Sequence, residues 1–83
     1  MSNSHYFENM EYKNRLSSDP NVMLGKPVIK GTRITVELIL ERLGEGMSVE
    51  ELLAATPNIT KEDILACLSY SSDVISRESL IAS

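Results

Sequence analysis

Ile34-Thr35-Val36-Glu37-Leu38-Ile39-Leu40-Glu41-Arg42-Leu43-Gly44-Glu45-Gly46-Met47-Ser48 holds the start of one helix, its stop, and the start of the next. Thr35 has the chemistry of an N-cap, because its hydroxyl can accept from a first-turn N–H group that lacks an intrahelical partner. Val36, Ile39, Leu40 and Leu43 follow at i, i+3, i+4 and i+7, an apolar stripe at helical spacing. Gly44 and Gly46 supply the backbone freedom that closes the helix. Ser48 then opens a second helix and forms a capping box with Glu51, while Val49, Leu52, Leu53 and Thr56 continue the stripe. Pro57 stops that helix, and Thr60 caps a third with Ile64, Cys67, Leu68, Ser71 and Ile75 on its apolar face, running to about Arg77. In all three the residue before the cap and the fourth helical residue are apolar: Ile34 with Ile39, Met47 with Leu52, Ile59 with Ile64. That is a hydrophobic staple repeated three times. Glu37, Glu50, Glu51, Glu62 and Asp63 fall in first turns, where they complement the positive end of the helix dipole.

Upstream, Gly25-Lys26-Pro27-Val28-Ile29-Lys30-Gly31-Thr32-Arg33 compresses two glycines, a proline and three basic residues into a short run. Glycine permits positive φ and proline fixes φ while removing a donor, so the run reads as a turn feeding a short strand. Strand alternation would put Val28, Lys30 and Thr32 on one face and Ile29, Gly31 and Arg33 on the other. Asp19-Pro20-Asn21 is a turn signal, and Val22-Met23-Leu24 before Gly25 suggests a hairpin or paired extended arm with Pro27-Val28-Ile29. Residues 1–14 show no sustained period and read as a frayed tail, although Tyr6, Phe7 and Tyr12 offer docking groups. The expected organisation is a tail at 1–14 and one domain at 15–83, with an extended arm at 15–34 and three helices at 35–79. The fold class is mainly α, a three-helix helix-turn-helix bundle with a short N-terminal hairpin or arm.

An 83-residue chain makes one small domain with a modest core, which favours a homodimer. The net charge of -4 is unevenly spread: residues 1–33 carry five cations against three acids, and residues 34–83 carry three cations against nine acids. In a dimer the basic arm of one subunit has an acidic body to lie on. Cys67 is the single cysteine, so no internal disulfide forms, and with no signal peptide or long apolar run the expected location is the cytoplasm, without membrane association. Cys67 reads as a small apolar packing residue.

Four segments in order also carry a resemblance: Gly25 to Ile34, Gly46-Met47-Ser48-Val49-Glu50-Glu51-Leu52-Leu53, Pro57-Asn58-Ile59-Thr60-Lys61-Glu62-Asp63-Ile64, and Leu68-Ser69-Tyr70. Over about residues 15–76 the chain resembles the domain of unknown function 433 family. It departs from that family's pattern at Leu24, which replaces the first glycine of a pair, and at Thr35, where proline is frequent. The resemblance implies a homeodomain-like helix-turn-helix fold and, for part of the family, a role as a VapB-type antitoxin to a PIN-domain ribonuclease.

The residues themselves favour binding over catalysis. His5, in the tail, is the single histidine, so no Ser/His/Asp or Cys/His set assembles in the folded part, and metal-ligand spacing is absent. No cofactor, metal or small-molecule substrate is expected. Lys61-Glu62-Asp63 would head a recognition helix, but two acids beside one lysine oppose phosphate, so DNA contact falls to the arm. Lys26, Lys30 and Arg33 are the candidate partner- or DNA-binding residues, with Arg33 first and Arg77 an alternative cation. Gly25, Pro27, Gly31 and Thr32 set the shape of the motif, and Thr35, Ser48 and Thr60 cap the helices. The alternative for Arg33 is a salt bridge to an acid of the first or second helix. The favoured function is neutralisation of a cognate ribonuclease toxin with autoregulation of its operon. The alternatives are a DNA-binding regulator without a toxin and a structural or adaptor module.

Overall fold

Among the described residues, three α-helices start where a side chain accepts from the first turn. The structure, a computed structural model, describes residues 12–77. Helix α1 spans Val36–Gly44, α2 Val49–Ala55 and α3 Lys61–Ser76. The Leu38 N–H donates to the Thr35 hydroxyl at 3.0 Å. Ser48 and Glu51 form the reciprocal capping box, as do Thr60 and Asp63. At the end of α1, Gly46 has φ +103° while its N–H donates to the Leu43 carbonyl and that of Met47 to the Arg42 carbonyl. This is a Schellman closure, which satisfies carbonyls the last turn leaves over. Asn58, at φ +77°, turns the chain from α2 into α3.

The arm is a two-stranded antiparallel sheet, β1 Leu16–Ser17 with β2 Val28–Ile29, in register Leu16 with Ile29 and Ser17 with Val28. The partner of β2 is therefore β1 and not residues 22–24. Met23, Leu24 and Gly25 instead form a left-handed turn with φ of +49°, +60° and +84°. The expected alternation along 28–33 also stops early. Val28 and Ile29 are both buried because Leu16 lies on one side of β2 and a bridge from Val28 to Thr35 closes the other. The chain then turns at residues 30–33.

Tyr12, Leu16 and Ile29 from the arm join Val36, Ile39, Leu52, Ile59, Ile64, Ala66 and Cys67 in one core. Tyr12 does not belong to a frayed tail: it is 7% exposed, its ring meets Tyr70 edge to face at 5.4 Å, and its hydroxyl donates to Asp73 at 2.9 Å. Burial first, and that hydrogen bond second, push the Tyr12 pKa up. Along α3 the buried face is rotated from the expected one. Ala66 lies in the core and Tyr70 packs against it, whereas Leu68 and Ile75 face solvent. Cys67 is fully buried, and loss of solvation pushes its thiol up to about 11, as an inert packing residue requires. The remainder of the tail, residues 1–11, and the continuation past Arg77 lie outside the described residues. No described helix is long and apolar enough to cross a membrane.

Candidate functional site

The turn between β2 and α1 presents two cations on a closely bonded frame. The Ile29 N–H donates to the Ile34 carbonyl and the Thr32 N–H to the Ile29 carbonyl, both at 2.9 Å. The Thr32 hydroxyl donates to the same Ile29 carbonyl at 2.8 Å and accepts from the Ile34 N–H at 2.9 Å. Thr32 therefore ties both ends of the turn with one side-chain oxygen, which valine at that position could not do. Gly31 sits at φ +82°, where a Cβ is disfavoured by its own backbone. Pro27 anchors the segment from below, since its carbonyl accepts from the Val36 N–H at 3.0 Å at the start of α1.

Lys30 and Arg33 stand exposed on this frame, and among the described residues neither is in an ion pair. The alternative salt bridge from Arg33 to an acid of α1 or α2 is not formed. Arg33, with Ser17, Asp19, Val22, Val28, Gly31 and Thr32, lines an open depression of about 460 Å³. Lys26 stands apart: its ammonium meets Glu37 of α1 at 2.8 Å, an exposed pair of small energetic worth. Arg77 is likewise engaged, with Asp73 at 2.7 Å. Of the candidate cations, the structure brings Lys30 and Arg33 onto one turn and leaves Lys26 on a separate surface.

Arg15 has a role that sequence reasoning missed. Its guanidinium donates to Asp63 at 3.1 Å, tying β1 to the first turn of α3. The Lys30 N–H donates to the Arg15 carbonyl at 2.8 Å, so this tie also fixes the base of the basic turn. A contact between residues 48 positions apart leaves no periodic trace in the sequence. A second apolar feature lies behind the arm, a groove of about 290 Å³ walled by Pro27, Val36, Leu40, Tyr70, Val74 and Ile75.

With this geometry established, the chain can be placed among known proteins. The family described as "Protein of unknown function (DUF433)" matches residues 16–71. The chain belongs to the DUF433 family. The matched span runs from β1 through most of α3 and contains both the basic turn and its Arg15–Asp63 support apart from Arg15 itself. A DUF433 member protein from Anabaena variabilis has a crystal structure that superposes with a TM-score of 0.73 at 27% identity, over 90% of this chain and 74% of that one. An uncharacterized protein, y4eO, of Sinorhizobium fredii (strain NBRC 101917 / NGR234) is 34% identical over 55 residues, 66% of this chain. The chain spans only 25% of that relative's length. The departure from the DUF433 pattern at Leu24 has a structural counterpart: leucine occupies a left-handed position, φ +60°, and is 92% exposed.

Proposed function

We propose that this DUF433 protein is an antitoxin-like binding module that neutralises a cognate PIN-type ribonuclease by presenting Arg33, with Lys30 beside it, to the ribonuclease's metal-binding carboxylates. The observation that carries the reading is that these two side chains are exposed and outside any ion pair among the described residues, on a turn held by four hydrogen bonds. A guanidinium held on a rigid turn binds carboxylate in two-pronged fashion and loses little conformational freedom in doing so. Lys26 contributes long-range attraction, since its contact with Glu37 is exposed and exchanges readily with solvent.

Operator DNA is the second reading, with α2, the turn at residues 56–60 and α3 serving as a homeodomain-like helix-turn-helix and the complex repressing its own operon. One observation favours it. Asp63 is turned inward onto Arg15 and the Thr60 N–H, so the exposed charges of the first turn of α3 are Lys61 and Glu62. The local acidity opposing phosphate is thereby smaller than the sequence suggests.

The two readings separate in cells expressing the adjacent open reading frame. Growth arrest relieved by this protein, and not by its Arg33→Ala variant at equal abundance, supports the antitoxin role. Absence of arrest, or full relief by Arg33→Ala, rejects the assignment of Arg33. Salt-dependent binding to promoter DNA that persists without any toxin moves the function to transcriptional regulation.

A further inference from the structure

The depression beside the basic turn holds an acid as well as Arg33. Ser17 is paired with Val28, and Val28 is bridged to Thr35, so these three stand opposite one another on one face of the arm. Leu16 and Ile29 take the other face, which belongs to the core. Asp19, two residues past Ser17, lines the depression together with Val28, Thr32 and Arg33. Its backbone and side chain are both held: the Asp19 carboxylate accepts from the Asn21 N–H at 2.8 Å, and the Asp19 carbonyl accepts from the Val22 N–H at 2.8 Å. Asp19 and Arg33 are exposed, and among the described residues neither forms an ion pair with the other or with any third side chain. One depression of about 460 Å³ thus presents a cation and an anion that do not neutralise each other.

We propose, resting on the reading of Arg33 as a binding group, that Asp19 is the specificity-determining residue of this depression: it selects a protein segment that offers a carboxylate to Arg33 and a lysine or arginine to Asp19, and it disfavours a phosphate backbone. A ligand carrying only negative charge is attracted by Arg33 and repelled by Asp19. A phosphate backbone is the extreme case, since it repeats its charge at every step and has no cation to set against the acid. A segment with both signs gains at both positions, and this pairing of opposite charges, with like charges set against the wrong partner, is how an interface discriminates. The spacing suits an extended chain, in which side chains i and i+2 lie on one side about 7 Å apart and enter one depression together. Between them Val28 offers an apolar contact. Because both groups are exposed, the discrimination is a matter of several-fold and falls with added salt.

NMR titration of the full chain at low salt tests this with three probes: the blocked pentapeptide Gly-Glu-Ser-Lys-Gly, its Gly-Glu-Ser-Gln-Gly analogue, and a short DNA duplex. The wild-type protein is expected to bind the lysine peptide at least about threefold more tightly than the glutamine peptide. Asp19→Asn, which keeps the oxygen that accepts from the Asn21 N–H, should abolish that preference and raise affinity for the duplex by at least about threefold. Arg33→Ala should weaken binding of both peptides. A wild type that binds neither peptide up to millimolar concentration, or both equally, would overturn the proposal. Loss of binding in Arg33→Ala with an undiminished preference in Asp19→Asn would overturn the role of Asp19 alone. Peptide binding that survives Arg33→Ala would overturn Arg33 as the binding group, and the role of Asp19 with it.

Discussion

Thr35, Ser48 and Thr60 each fasten a helix through contacts three residues away, whereas Arg15 and Tyr12 fasten the arm through contacts 48 and 61 residues away. The helices are locally specified, and their caps and staples would favour the same starts in a peptide. The arm has two strands of two residues each, far too little pairing to stand alone. Its shape is held by inserting Tyr12, Leu16 and Ile29 beneath the helices and by two polar ties to α3. A basic turn mounted on such an arm is as rigid as the bundle beneath it, which a binding group benefits from and a local motif could not supply.

The largest effect should come from removing the surface that both regions share. Ile64 is fully buried at the start of α3, and Ile64→Ala should cost about 2–5 kcal/mol by lost transfer and cavity energy, measured by denaturant unfolding. Arm and helices should then unfold in one transition; separate transitions by two probes would show the arm to be an independent unit. Asp63→Ala comes next, because Asp63 accepts from the Thr60 N–H and from Arg15 together. A loss of about 2 kcal/mol is expected, against less than about 1 kcal/mol for Arg15→Ala, whose side chain is 43% exposed. The double variant should cost less than the sum, and strict additivity would mean that the ion pair does not couple the arm to α3.

Leu24→Gly should act in the opposite direction. It relieves a left-handed leucine that buries almost nothing, so a gain of about 1 kcal/mol in stability is expected. No gain would mean that the chain tolerates the turn without strain. Arg33→Ala should have the smallest effect on stability, within about 0.5 kcal/mol, since its side chain is exposed and makes no ion pair among the described residues. A larger loss would make Arg33 part of the frame instead of its cargo, and the comparison between scaffold and binding group would fail at that point.

Legibility in the sequence follows the same division. Cap residues, staples and the glycine stop identified all three helices, because each signal and its partner lie within one turn. The apolar face of α3 was misread for a related reason: helical spacing admits both the 64, 67, 71 stripe and the neighbouring 65, 68, 72, 75 stripe, and only packing against α1, α2 and the arm decides which is inside. Gly25, Pro27 and Gly31 marked a turn-rich motif, but strand alternation could not foresee that Thr32 would close the turn with its hydroxyl and leave Lys30 and Arg33 outside it.

Local chemistry alone therefore determined where α1, α2 and α3 begin and where α1 and α2 end, since caps, dipoles, staples and the glycine and proline stops act over three or four residues. Tertiary structure decided the partner of β2, the burial of Tyr12 and the inward turn of Asp63. Those choices belong to contacts between residues far apart in the chain, whose energy exists only once the helices have formed a surface for the arm to meet.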